Sequence, residues 1–204
     1  MPEPIEFYFD FISPFGYLGS VQIERIAARH GREVDWRPIL LGVTVLKIMG
    51  MKPLPQTPLK GPWLDRDLER LSSLFEIPIR KHGLKGVNSL AAARAFLCIK
   101  QSDPALAKRF AQAIFRRLWL RGEDITPVDA VAAEAEALGV DGAALRAAIE
   151  TPEAKAALNA SVEAAVNKGV FGAPFFIADG EGFFGNDHVW MLEHWLEHRH
   201  FRPA

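Results

Sequence analysis

Three short stretches carry residue types that could do chemistry together. The first is Ser13-Pro14-Phe15-Gly16, where a period-two apolar run gives way to a helical pattern. A hydroxyl there lies at the amino end of a helix, where unpaired N–H groups and the positive end of the dipole favour an anion. It could donate a hydrogen bond to a thiolate. The same residues also read as a plain helix start, Ser13 as cap and Pro14 as first residue. The second stretch is Ala173-Pro174, directly before a short apolar strand. Proline belongs at the first residue or edge of a strand. A trans bond is the ordinary expectation, whereas a cis bond would turn the Ala173 backbone outward to pair with an extended ligand. The third is Gly185-Asn186-Asp187, ahead of the last helix. It either caps that helix or holds a ligand's ammonium group.

Other arrangements are excluded or weak. Ser13 has no Gly-x-Ser-x-Gly setting and no nearby histidine base, so acyl transfer is not expected. His194 and His198 share a helix face, but His-Trp-Leu-Glu-His is not a zinc motif, and no structural metal is expected. The lone cysteine, Cys98, excludes dithiol chemistry within one chain and reads as a small buried hydrophobe. Lys60, Trp63, Asp67 and Arg70 lie on or after a proline-rich stretch, as a solvated face or as part of a cleft.

The elements that position these residues follow from hydrophobic period. Ile5, Phe7, Phe9 and Phe11 alternate with Glu6, Tyr8 and Asp10 as a strand. A helix over 15–30 ends at Gly31, and 33–39 reads as a second strand, giving a right-handed βαβ unit. Residues 42–62, with Pro53, Pro55, Pro58 and Pro62, read as a long structureless loop that lines a site or crosses to the next domain. From 63 to 150 the pattern is helical, with breaks at Ile77-Pro78, Thr126-Pro127 and Asp141. A helix after Pro152 ends at Gly169. An apolar strand over 173–178, a tight turn at Asp179-Gly180 and a second strand over 182–185 follow. Asn186 or Asp187 then caps a final helix, and the tail after His198 is expected to fray. The order βαβ, helices, αββα describes a mixed α/β sandwich interrupted by a helical module. The parts are residues 1–45, 46–151 and 152–204.

With 204 residues, 49% hydrophobic content and a formal charge of −1, the chain can bury a large core and has no basic field for nucleic acid. No membrane span and no secretory signal are expected, which points to a soluble cytoplasmic protein.

Phe9-Asp10-Phe11-Ile12-Ser13-Pro14-Phe15-Gly16-Tyr17-Leu18, Val170-Phe171-Gly172-Ala173-Pro174 and Phe184-Gly185-Asn186-Asp187 together resemble three motifs of the 2-hydroxychromene-2-carboxylate isomerases. These belong with the kappa-class glutathione transferases and the DsbA-type thioredoxin fold. The resemblance spans essentially the whole chain. It implies a thioredoxin-like α/β fold with an inserted all-helical domain, and a cis bond before Pro174. Ser13 and Gly16 stand where the superfamily's oxidoreductases place their two active-site cysteines, so a thiol would have to come from glutathione.

The implied activity is glutathione-dependent cis–trans isomerisation of a 2-hydroxychromene-2-carboxylate-type catabolite to the trans-o-hydroxybenzylidenepyruvate. A kappa-like transferase acting on other electrophiles and a non-catalytic binding module are the alternatives. Ser13 would be catalytic and would bind the glutathione sulfur, with Phe15, Ala173, Pro174, Asn186 and Asp187 as further cofactor contacts. Lys60, Trp63, Asp67, Arg70, Asn88 and Arg94 would surround a small acidic aromatic substrate, and a homodimer is compatible with the resemblance. Two departures stand out. Met51 occupies a loop position where relatives often carry an asparagine, and Trp63 lies where a tyrosine is often near.

Overall fold

The alternation at the N-terminus does form a strand, β1 (Ile5–Phe9), and its two faces have different fates. The computed structural model of the protein describes residues 3–80 and 86–201. His82 lies outside them. β1 leads through α1 (Pro14–Arg29) to β2 (Val34–Pro38), parallel to β1 with Phe7 opposite Trp36. After the helices, β3 (Phe175–Ala178) pairs antiparallel with β1, and β4 (Glu181–Phe184) pairs antiparallel with β3. The sheet order is β2-β1-β3-β4, so β1 is a central strand and β4 an edge.

Ile5, Phe7 and Phe9 are fully buried on the face shared with α1, where Phe7 meets Trp36 edge-on and lies against Phe176. Tyr8 points to the other face, with Ala165 and Val170 from α7 (Pro152–Asn167) and the residues after it. Period-two alternation in β1 thus divides one strand between two layers.

The inserted helices are α2 (Lys60–Leu74), α3 (Leu90–Ser102), α4 (Pro104–Arg116), α5 (Val128–Glu136) and α6 (Gly142–Glu150). No strand interrupts them among the described residues. They do not form a separate core. Phe96 of α3 and Phe115 of α4 are fully buried against Phe9 of β1, with ring centroids 5.3 and 5.7 Å away. Each such ring contributes about 1.5–3 kcal/mol by burial, which binds the insertion to the sheet continuously.

Three expectations need correcting. The 42–62 segment is not structureless: Gly42–Ile48 winds as π-helical turns, Leu54–Gln56 is a 3-10 turn, and α2 begins at Lys60 rather than after Pro62. The last helix, α8 (Val189–His198), has no side-chain cap, because a 3-10 turn over Asn186–His188 intervenes. The tail folds back: Phe201 stacks on Trp195 at 5.4 Å and Arg199 pairs with Asp179. Among the described residues no helix is long and apolar enough to cross a membrane. Cys98 is half-buried against the core, and burial pushes its thiol pKa up.

Candidate active site

The turn between β1 and α1 is tied down at every level. Ser13 is the N-cap of α1, 3% exposed, and its hydroxyl oxygen accepts the Gly16 N–H at 3.0 Å. The Tyr17 N–H goes to the Ser13 carbonyl at 3.1 Å. Pro14 has no N–H, so the Phe15 N–H is the one first-turn donor left without an acceptor inside the helix. The same Ser13 hydroxyl donates to the Ala173 carbonyl at 3.0 Å. One side chain therefore joins the start of α1 to the residue before β3, across 160 positions of sequence.

The Ala173–Pro174 bond is cis, contrary to the ordinary expectation for a strand start and in agreement with the family resemblance. Pro174 is buried against Gly19 of α1. A Cβ at Gly19 would come within 2.9 Å of the Pro174 Cβ, so only glycine allows this approach. The Pro174 carbonyl accepts the Gly185 N–H at 3.0 Å, which draws the Gly185-Asn186-Asp187 turn alongside.

Asn186 is 5% exposed, and its side chain is used inside the protein. Its amide donates to the Phe15 carbonyl at 2.9 Å and its oxygen accepts from Gln22 at 3.2 Å. Asp187 is exposed, 3.4 Å from the His188 ring nitrogen. Beside Pro174, Phe171 and Phe184 form an exposed aromatic rim with centroids 4.6 Å apart.

Beneath the turn lies Asp10, 2% exposed. One carboxylate oxygen accepts the Ile12 N–H at 3.2 Å and the Ser89 hydroxyl at 2.6 Å, and the other accepts the Leu41 N–H at 2.8 Å. Burial raises its pKa above the ordinary value, while those three hydrogen bonds pull the other way. Trp119, just after α4, donates from its indole to the Phe11 carbonyl at 2.8 Å. Ser89, Trp119, Gln22 and Asp10 are the members of this arrangement that the sequence does not single out.

The other expected site residues divide into groups. Lys60, Trp63, Asp67 and Arg70 fall at i, i+3, i+7 and i+10 of α2, one helical stripe. Trp63 is 55% exposed, and Arg70 lies 4.0 Å from Asp67. The buried face of α2, with Leu64 and Leu68, is the neighbouring one. Asn88 precedes Ser89 at the start of α3. Its oxygen accepts the Leu90 N–H at 3.2 Å and its own N–H goes to the Thr126 hydroxyl at 3.0 Å. Arg94 sits apart from the stripe and turns to Glu150 at 3.7 Å, its Nε buried with no partner. Met51 is 45% exposed, and Leu46, Ile48 and Met49 before it in sequence are exposed as well. A cleft of about 260 Å³ separates α1 from α4, lined by Tyr17, Glu24, Arg25 and Arg116 among others. Among the described residues no cluster of side chains could hold a metal ion.

A βαβ–ββα sheet with a helical insertion, and a cis proline facing the start of its first helix, defines the thioredoxin-like class. Here a serine stands at the head of that helix. The DSBA-like thioredoxin domain model matches residues 4–197. A 2-hydroxychromene-2-carboxylate isomerase of Sphingobium xenophagum is 30% identical over 204 residues, covering 96% of this chain and 99% of that protein. Human glutathione S-transferase kappa 1 is 29% identical, covering 100% of this chain and 95% of the relative. A crystal structure of 2-hydroxychromene-2-carboxylate isomerase superposes with a TM-score of 0.85 at 26% identity, covering 95% and 94% of the two chains. The chain belongs to the DSBA-like thioredoxin family, in the group that contains the 2-hydroxychromene-2-carboxylate isomerases and kappa-class glutathione transferases.

Proposed function

We propose that the protein is a glutathione-dependent cis–trans isomerase for a small acidic aromatic substrate of the 2-hydroxychromene-2-carboxylate type. The observation that carries this reading is the Ser13 hydroxyl, held between the Gly16 N–H and the Ala173 carbonyl at the start of α1. The relatives' names supply the reaction and the thiol.

The residues present fit such a ligand. Rotation of the Ser13 hydroxyl toward a sulfur anion releases the Ala173 carbonyl, which is then free to accept a peptide N–H of glutathione. The exchange replaces a neutral hydrogen bond, worth about 0.5–1.5 kcal/mol, with a charge-assisted one worth about 1.5–3 kcal/mol. The Phe15 N–H and the helix dipole add about 0.3–1 kcal/mol. Together these lower a thiol pKa of about 8.5 by roughly one to two units, which raises the thiolate share at pH 7 from a few per cent to roughly a quarter to three quarters. Asn186 fixes the first turn of α1 through Phe15, and Asp187, exposed on the adjacent turn, faces the γ-glutamyl ammonium.

Bound there, glutathione would supply a sulfur nucleophile able to add reversibly to a conjugated double bond. Ser13 would hold that sulfur as an anion, and Lys60 and Arg70, on the α2 stripe, would hold the substrate carboxylate and offset negative charge developing beside it. Trp63 offers the aromatic ring a flat apolar surface.

The test is to mix enzyme, glutathione and 2-hydroxychromene-2-carboxylate and follow product and thiol together. Isomerisation that requires glutathione but returns all of it free supports the reading. A stable glutathione conjugate would favour a transferase, and neither product a binding module.

A further inference from the structure

We propose that the cleft between α1 and α4 is a second ligand site, separate from the head of α1, which takes a small organic monocarboxylate bearing a hydroxyl at its far end. The cleft follows one flank of α1. Tyr17, Val21, Glu24 and Arg25 recur there at i, i+4, i+7 and i+8, and Gln112 and Arg116 of α4 line the opposite wall one turn apart. Gly19 and Gln22, which meet Pro174 and Asn186, lie on another flank. The lining residues have no part in the proposed glutathione chemistry.

The polar groups of the cleft are those of an anion site without its anion. Tyr17 is 5% exposed, yet its hydroxyl has no hydrogen-bond partner among the described residues. A buried hydroxyl in that state is costly until something pairs with it. Burial raises its pKa and the charge of Arg116 pulls the other way, so the cation lies within electrostatic reach of the ring. Arg116 and Arg25 form no ion pair among the described residues, and the half-buried Gln112 amide is likewise without a partner. Glu24, the one acid of the lining, does not answer them. Its Oε1 takes the Lys108 ammonium at 3.0 Å and the Trp36 indole N–H at 2.6 Å.

Size and lining decide which anion. At about 260 Å³ the cleft is far too large for a bare ion, since one water takes about 30 Å³. Val21 and the Tyr17 ring, which packs on Phe115 at 5.9 Å, give it an apolar wall for an organic body. A guanidinium grips a carboxylate through two parallel N–H···O bonds, and the Tyr17 hydroxyl and Gln112 amide add donors to the same oxygens. Glu24 sits one to two turns further along α1. Its charge repels a dianion such as phosphate, while its Oε2 accepts the hydroxyl of a ligand.

Titration calorimetry of the full-length protein with 4-hydroxybenzoate, benzoate and inorganic phosphate tests this. 4-Hydroxybenzoate is expected to bind with a dissociation constant on the order of 1 mM, the same with and without saturating glutathione, and benzoate and phosphate more weakly. Arg116→Met should weaken 4-hydroxybenzoate about tenfold and Tyr17→Phe about threefold. Arg116 is exposed and unpaired, and Tyr17→Phe keeps the buried ring, so both variants retain the fold. Arg70→Met, on the α2 stripe, should leave the affinity unchanged. No binding at about 10 mM acid, ten times the expected constant, overturns the proposal. So do phosphate binding tighter than either acid, displacement by glutathione, and affinity lost in Arg70→Met but kept in Arg116→Met. Failure of the unaltered protein to bind glutathione would sink the proposed function separately, while the same titrations still judge the cleft.

Discussion

Replacing Gly19 by alanine tests whether the close approach of α1 to Pro174 is what holds the site together. The added Cβ would lie 2.9 Å from the Pro174 Cβ, 3.2 Å from its Cγ and 3.4 Å from the Asn186 oxygen. Comfortable carbon–carbon contacts begin at about 3.5 Å, so Pro174 or the helix must give by roughly half an ångström. The helix is pinned by Leu18, Ile23 and Ile26 in the core, which leaves Pro174 and its neighbours to move. Overpacking of this kind costs about 1–3 kcal/mol, partly offset by the better helix propensity of alanine, about 1 kcal/mol. The net loss of stability expected in urea denaturation is about 0–2 kcal/mol. The larger effect falls on function, because the Ser13 bond to Ala173 and the Asn186 turn both adjoin the displaced ring. Loss of one well-placed hydrogen bond, about 1.4 kcal/mol, corresponds to tenfold weaker glutathione binding by calorimetry. Gly42→Ala is the control, since a Cβ there meets nothing within 4 Å. Glutathione affinity unchanged in Gly19→Ala would refute the reasoning.

Three further outcomes follow from the packing and charge. Trp119→Phe removes the indole bond to the Phe11 carbonyl and leaves a buried acceptor unpaired, so urea denaturation should show a loss of about 1–3 kcal/mol. Arg32, with a side chain 1% exposed, donates to the Glu3 carbonyl at 2.6 Å and to Asp179 at 3.1 Å; Arg32→Met should cost about 3 kcal/mol in the same assay, the low end for a broken buried pair because Asp179 keeps Arg199. Glu6 is partly buried, which pushes its pKa up, but hydrogen bonds from Lys168 and Tyr8 and the charge of Arg37 hold it below the ordinary 4.5. Its folded pKa is depressed, so its stabilisation is fully present above pH 4.5 and is lost as pH falls through the lowered value. Thermal melting of Lys168→Met across acid pH should show a shallower loss than the unaltered protein; an identical acid limb would contradict the pairing.

Local patterns disclosed the parts that local physics controls. Alternating apolar residues in β1, the Ser13 cap, the Asp179-Gly180 hairpin and the cap at Asp141 all depend on neighbours a few positions away. In sequence Asp10 is a polar residue of an alternating strand and a member of one of the three motifs but carries no site role, because its partner Ser89 lies 79 positions on and the Trp119 anchor to Phe11 spans 108. Such contacts exist only once the insertion has packed on the sheet. The 42–48 segment lacked a clear period, yet the Leu41 N–H fixed to Asp10 starts a helical run there. Asn186 fails to cap α8 for a related reason: its amide is drawn back to Phe15 and Gln22 on α1. In sequence the tail reads as frayed because the aromatic face that receives Phe201 is assembled by α8, and polar composition gives no sign of it.

The central claim is that Ser13 holds the glutathione sulfur as an anion. Titrating the protein with glutathione from pH 5 to 9 while recording absorbance at 240 nm measures this directly, beside Ser13→Ala. The account predicts that bound thiol ionises with a pKa about one to two units below the 8.5 of a free thiol. In Ser13→Ala that pKa should rise by about one unit and turnover should fall far more than affinity. Glutathione that binds with an unshifted pKa, or a Ser13→Ala protein with the same absorbance and turnover as the unaltered one, would reduce Ser13 to a helix cap and contradict the account.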